Sequence, residues 1–141
     1  MIDVENYVVD RVYRRFKDEP LKVKIHSTHV RSPSEFPCLM LYESASSTYD
    51  LIRFGDGIER YANVRFTAEI CTNDRQGKKE KAKKILNVLD DEMQAMGFYR
   101  ASRNYTFGTD ESSVFIALAT YRGLVGESPS GDGNDLKVYR R

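Results

Sequence analysis

The chain has 141 residues, 40% hydrophobic and 30% charged, with 22 lysines and arginines against 21 aspartates and glutamates. That length matches one domain with its own core, which needs neither metal nor disulfide to stay folded. The near-even charge excludes a protein that holds polyanions through bulk charge, so any basic surface has to be local.

The first predicted element is a helix. Val4, Val8, Val12 and Phe16 recur one turn apart, with Val9 and Tyr13 beside them, as one apolar stripe. Asp3 and Glu5 open it and Arg14, Arg15 and Lys17 close it, in line with the helix dipole, and Pro20 ends it. Leu21, Val23 and Ile25 then alternate with Lys22, Lys24 and His26, the pattern of a half-buried strand. After the turn RSPSE, FPCLMLYES reads as a second strand with Pro37 near its start. Ser44 to Ala62 reads as a long Ser- and Gly-rich loop carrying Tyr49, Leu51, Ile52 and Phe54, a length more often functional than idle.

NVRFTAEICT alternates cleanly, with Val64, Phe66, Ala68 and Ile70 on one face. NDRQG is a turn, and a helix follows from Lys78 to Met96, closed by Gly97. Its core stripe is Ala82, Ile85, Leu86, Leu89, Met93 and Met96. FYRASRNYTF and SSVFIALATYRGLV read as a closing hairpin around GTDE. From Gly126 the composition turns to Gly, Ser and Asp, a flexible arm, and it ends in LKVYRR, which could add a strand to another chain. The expectation is an α+β domain over residues 1–125, with a mostly antiparallel sheet and two main helices on one face, and a flexible C-terminal arm over 126–141.

No catalytic constellation emerges, so no enzyme, cofactor or metal is expected. His26 and His29 point to opposite faces of a strand and cannot easily share a metal. Asp90, Asp91 and Glu92 are consecutive on a helix and fan out around it. FGDG, Phe54 to Gly57, lacks the lysine and the context of a phosphate loop. Cys38 and Cys71 each stand alone in an apolar setting and read as reduced, buried thiols of a cytoplasmic protein. No apolar run approaches the ~18 residues of a membrane span, and the N-terminus lacks a signal-peptide pattern.

The run DRQGKKEKAKKIL concentrates Arg75, Lys78, Lys79, Lys81, Lys83 and Lys84. On a helical wheel these lysines form no stripe, and Lys81 borders the apolar face, which disfavours a helix laid in a duplex groove. Basic residues occupy the N-terminal half of this helix and Asp90, Asp91 and Glu92 the C-terminal half, against the macrodipole. An i, i+4 pair of Glu80 and Lys84 returns only about 0.2–0.5 kcal/mol. Complementarity between copies, a basic end meeting an acidic patch, would use this layout; a solvated helix with no selected pattern is the plain alternative.

The sequence from SEFPCLMLYES through EICTND, RQGKKEKAKKI and LNVLDDEMQAMGF to ATYRGLV resembles the tail terminator (tail completion) proteins of long-tailed phages, from Phe36 to Val125. The resemblance rests on the order strand, Lys/Gly turn, helix, MGF and hairpin, and the arm after Gly126 lies outside it. It implies an α+β fold and a non-catalytic, typically hexameric ring of copies of the chain. Such a ring caps the finished tail tube and offers a docking surface to the head connector at the tail–head junction of the virion, after assembly in the host cytoplasm. DNA passes through its lumen without sequence readout. Tyr49, Leu51 and Phe54 are the candidate apolar anchors, and the Asp74 to Lys79 turn is a second contact. The alternatives are a head-completion or stopper ring of the phage neck, and a small nucleic-acid-binding protein using the Arg75–Lys84 run.

Overall fold

The computed structural model describes residues 4–31, 33–48, 61–107, 114–127 and 136–139. In chain order these form α1 (Glu5–Lys17), β1 (Lys24–His26), β2 (Cys38–Thr48), β3 (Tyr61–Thr72), α2 (Lys78–Met96), β4 (Tyr99–Phe107), β5 (Phe115–Glu127) and β6 (Leu136–Tyr139). The sheet runs β1-β2-β3-β5-β4, with β6 also on β5, and every pairing is antiparallel except β1 with β2. The domain is α+β, as the alternation of elements predicts.

The two apolar stripes do what their spacing dictates. Val4, Val8, Val12 and Phe16 are buried, as are Ala82, Ile85, Leu86, Leu89, Met93 and Met96. They pack on one side of the sheet against Leu39, Leu41, Val64, Phe66, Ala68, Ile70, Ala117, Ala119 and Tyr121. Phe66 and Phe98 meet edge to face at 5.4 Å between ring centroids, a geometry that suits the ring quadrupoles. Helix α1 stops at Lys17, short of Pro20: the Asp18 and Glu19 N–H groups turn back to the Arg15 and Phe16 carbonyls. Residues before a proline avoid the helical region. Helix α2 is framed by two glycines in the left-handed region, Gly77 (φ 79°) and Gly97 (φ 103°). At the second, the Gly97 and Phe98 N–H groups bond the Gln94 and Met93 carbonyls, both at 2.9 Å, so Gly97 closes the helix as its position predicts.

Three elements differ from the sequence reading. β1 keeps only three residues of the expected strand. It pairs with the first residues of β2, and upstream of Cys38 the partner offers Pro37, which has no N–H. Leu21 and Val23 still pack against the core from outside the ladder. The loop expected from Ser44 to Ala62 is strand at both ends, since β2 continues to Thr48 and β3 begins at Tyr61. A bulge between Glu43 and Ala45 lets β2 run on, and the Ser44 hydroxyl sits at that bulge beside Arg65 and Thr67. Tyr49, Leu51 and Phe54 lie outside the described residues. Finally, β5 continues two residues past Val125, and Leu136–Tyr139 pairs with Leu124–Glu127 of the same chain. The short alternating piece that could add a strand to another chain, or simply fray, pairs within its own chain.

Candidate assembly surface

Both helices cover one face of the sheet, and among the described residues the opposite face is largely bare. At one end a small cluster of Cys38, Met40, Cys71 and Val114 lies under Val30 and Phe36. Beyond that cluster, antiparallel register lines side chains in rows across the strands. One row is Asn104, Leu118 and Glu69; the next is Ser102, Thr120 and Thr67; the third is Tyr99, Arg122 and Arg65. Leu118, Thr120 and Leu124 are half-buried, and Tyr99, Arg65 and Arg122 are exposed.

The third row is the least self-sufficient. Arg65 and Arg122 stand directly opposite each other on β3 and β5, where like charges are unfavourable. Arg65 donates from Nε to the Ser44 hydroxyl at 3.1 Å. Among the described residues neither arginine makes an ion pair with a carboxylate. Together with Ala45, Ser47 and Asn63 they line a shallow depression. Two arginines on one depression, with half-buried Leu124 in the adjoining row, suit a carboxylate-bearing surface.

The residues singled out on α2 divide sharply. Arg75, Lys79, Lys83 and Lys84 are exposed and Lys78 is half-buried. Lys83 Nζ and the Arg103 guanidinium lie 5.6 and 5.7 Å from the centre of the Tyr105 ring, which stacks on Phe115. Lys81 reaches back to Asp74 at 3.1 Å, so the ion pair formed here is Lys81–Asp74 rather than Glu80–Lys84. The acidic half serves the chain itself. Asp90 accepts a hydrogen bond from the buried Tyr121 hydroxyl and pairs with Arg100 on β4. Burial first, and then that hydrogen bond, push the Tyr121 phenol well above its ordinary range. Glu92 accepts from Arg11 Nε at 2.7 Å and lies 3.8 Å from Arg15 Nε, tying α2 to α1. The hydrogen bond to Glu92 is the largest cause raising the Arg11 pKa. Asp91 alone of the three acids is exposed. A head-to-tail match between the two ends of α2 therefore lacks most of its acidic side.

Sequence reasoning missed three juxtapositions that depend on register or on folding back. These are Arg65 with Arg122, Cys38 opposite Cys71, and the His29 ring nitrogen Nδ1 at 2.6 Å from Glu69 Oε2. Tyr42 donates its hydroxyl to the same carboxylate at 3.3 Å. Burial, followed by the Glu69 charge, raises the Tyr42 pKa. No three His, Cys, Asp or Glu residues among those described gather as metal ligands. No described helix is long and apolar enough to cross a membrane. Among family models and curated proteins, none matches the chain.

Proposed function

We propose that the chain is a structural virion protein of the tail-terminator kind: copies of it close into a ring that caps a phage tail tube and docks the head connector. One observation carries the reading. The sheet face opposite the helices sets Arg65 and Arg122 directly against each other, with half-buried Leu124 in the adjoining row and half-buried Leu118 two rows away, an arrangement that costs stability in isolation and is relieved by an acidic neighbour. The α+β order of strands and helices is also the one the resemblance implies. The bare face meets the adjacent copy or the connector, and the segment 49–60, with Tyr49, Leu51 and Phe54, meets the tube.

Electron microscopy and sedimentation of the purified protein, alone and with tail tubes, test this reading. Closed rings at the tube end are expected, and Arg65→Glu with Arg122→Glu should abolish them while the circular dichroism spectrum is retained. Rings that persist in that double variant would remove the bare face as the contact. A protein that never joins a closed oligomer, with or without tubes, would remove the function. Replacing residues 49–60 with a short Gly/Ser link should spare the fold and abolish capping. The replacement starts after Thr48 because Ser46 to Thr48 pair with β3.

A second reading has its own observation. Tyr105 is an exposed aromatic ring with Lys83 and Arg103 close to it, the mix of ring and cations found where single-stranded nucleic acid is held. A salt titration with a single-stranded oligonucleotide separates the two. A binder loses affinity steeply as salt rises, whereas an assembly ring shows little binding at any salt.

A further inference from the structure

Cys38 and Cys71 are far apart in sequence, and the antiparallel register of β2 and β3 sets them directly opposite each other. Directly opposed residues of such a pair have Cα atoms about 4.5–5.5 Å apart, inside the roughly 4.4–6.8 Å window that a disulfide spans. Both are free thiols, buried within one apolar cluster. They are the chain's two cysteines, so no other thiol of the molecule competes for either.

We infer that Cys38 and Cys71 form a dithiol modification site that takes a low-molecular-weight disulfide of the glutathione class as its oxidant and closes an intrachain bond between β2 and β3. The step balances. The Cys38 thiolate attacks one sulfur of the oxidant and releases one reduced thiol. The Cys71 thiolate then attacks the mixed disulfide at the Cys38 sulfur and releases the second. The protein loses two hydrogens and two electrons, and the oxidant becomes two thiols.

A hydrogen bond between the two sulfurs holds the Cys38 pKa below its ordinary value, and the same contact, together with burial, holds that of Cys71 above it. A hydrogen bond from one thiol favours the thiolate of the other, and Cys38 is taken as the first to attack. Val30 and Phe36, in the connection between β1 and β2, pack against the cluster that holds the pair and would limit access to it. That connection is fastened by the His29–Glu69 contact and by the Val30 N–H, which lies 3.3 Å from Met40 Sδ.

The test is an intact-mass measurement on the folded, reduced protein incubated with oxidised glutathione, quenched in acid, denatured and alkylated. The expected product has lost two hydrogens, takes up no alkylating agent, and yields one crosslinked peptide containing Cys38 and Cys71. Two alkylated thiols, a persistent glutathione adduct on the wild-type chain, or a chain-to-chain dimer would each overturn the inference. Cys71→Ser should instead gain and keep one glutathione on Cys38; no adduct removes Cys38 as the attacking thiol. His29→Gln should speed the wild-type reaction several-fold, and an unchanged rate shows that the covering connection does not gate it.

Discussion

The two faces of the sheet are made from the same strands in alternate residues, yet they solve different problems. Under the helices, Phe66, Ile70, Ala117, Ala119 and Tyr121 are buried together with both helical stripes. On the bare face their sequence neighbours Arg65, Thr67, Leu118, Thr120 and Arg122 range from half-buried to exposed. On the covered face Tyr121, the largest fully buried side chain among the described residues, delivers its hydroxyl to Asp90. The bare face leaves two guanidinium groups opposed and two leucines half in water. The difference teaches that the same strands pack one set of alternate residues into the core and leave the other set, among the described residues, partly open.

That contrast can be broken or sharpened by substitution. The largest effect belongs to the covered face: Phe98→Ala should cost about 3–5 kcal/mol in denaturant unfolding, because it opens a cavity against Phe66. Next is Asp90→Ala, which leaves the buried Tyr121 hydroxyl without its acceptor at a cost of about 1–3 kcal/mol. Asp90→Asn keeps an acceptor there and should cost less; equal losses in a thermal melt would count against the Tyr121 bond as the cause.

The same residue carries a pH signature. In the folded chain the Tyr121 phenol keeps its proton above its ordinary range. The unfolded chain gives that proton up above about pH 10. Stability is therefore whole below that value and falls as the pH rises past it. Half-buried Tyr42 is shifted in the same sense. Unfolding curves measured across the alkaline range should show a shallower decline for Tyr121→Phe than for the wild type, and an identical slope would rule Tyr121 out as the source. The smallest effect on stability belongs to the bare face. Leu118→Ala should change unfolding by less than about 1 kcal/mol, yet weaken self-association in sedimentation. A large loss of stability without a change in association would erase the distinction between the faces.

Much of the fold is legible in one dimension because it rests on periodicity. The stripes of α1 and α2, the alternation of β3 and the Gly97 stop are statements about spacing, and each holds in three dimensions. The rest depends on what a strand meets. Nothing local distinguishes Ser44–Thr48 from loop; a bulge and a partner strand make it β2. The parallel β1–β2 pair and the homeward turn of Leu136–Tyr139 are likewise decided by an available edge. The candidate surface was least legible. The charges of α2 are conspicuous in sequence because they are consecutive, but Asp90 and Glu92 bond within the chain to Tyr121, Arg100 and Arg11. Arg65 and Arg122, widely separated in sequence, became neighbours only through register.

The short strand β6 occupies the stretch of β5 that β4 leaves uncovered: β4 pairs as far as Arg122 and β6 takes over at Leu124. Two separate pieces of chain thus share one long flank, laid end to end like planks on a joist. Clipping the chain between them would strip the outer planking from Leu124–Glu127 and expose peptide groups along that flank, a seam of the sort that recruits foreign strands. Leu136–Tyr139 therefore acts as weatherproofing for that stretch of β5.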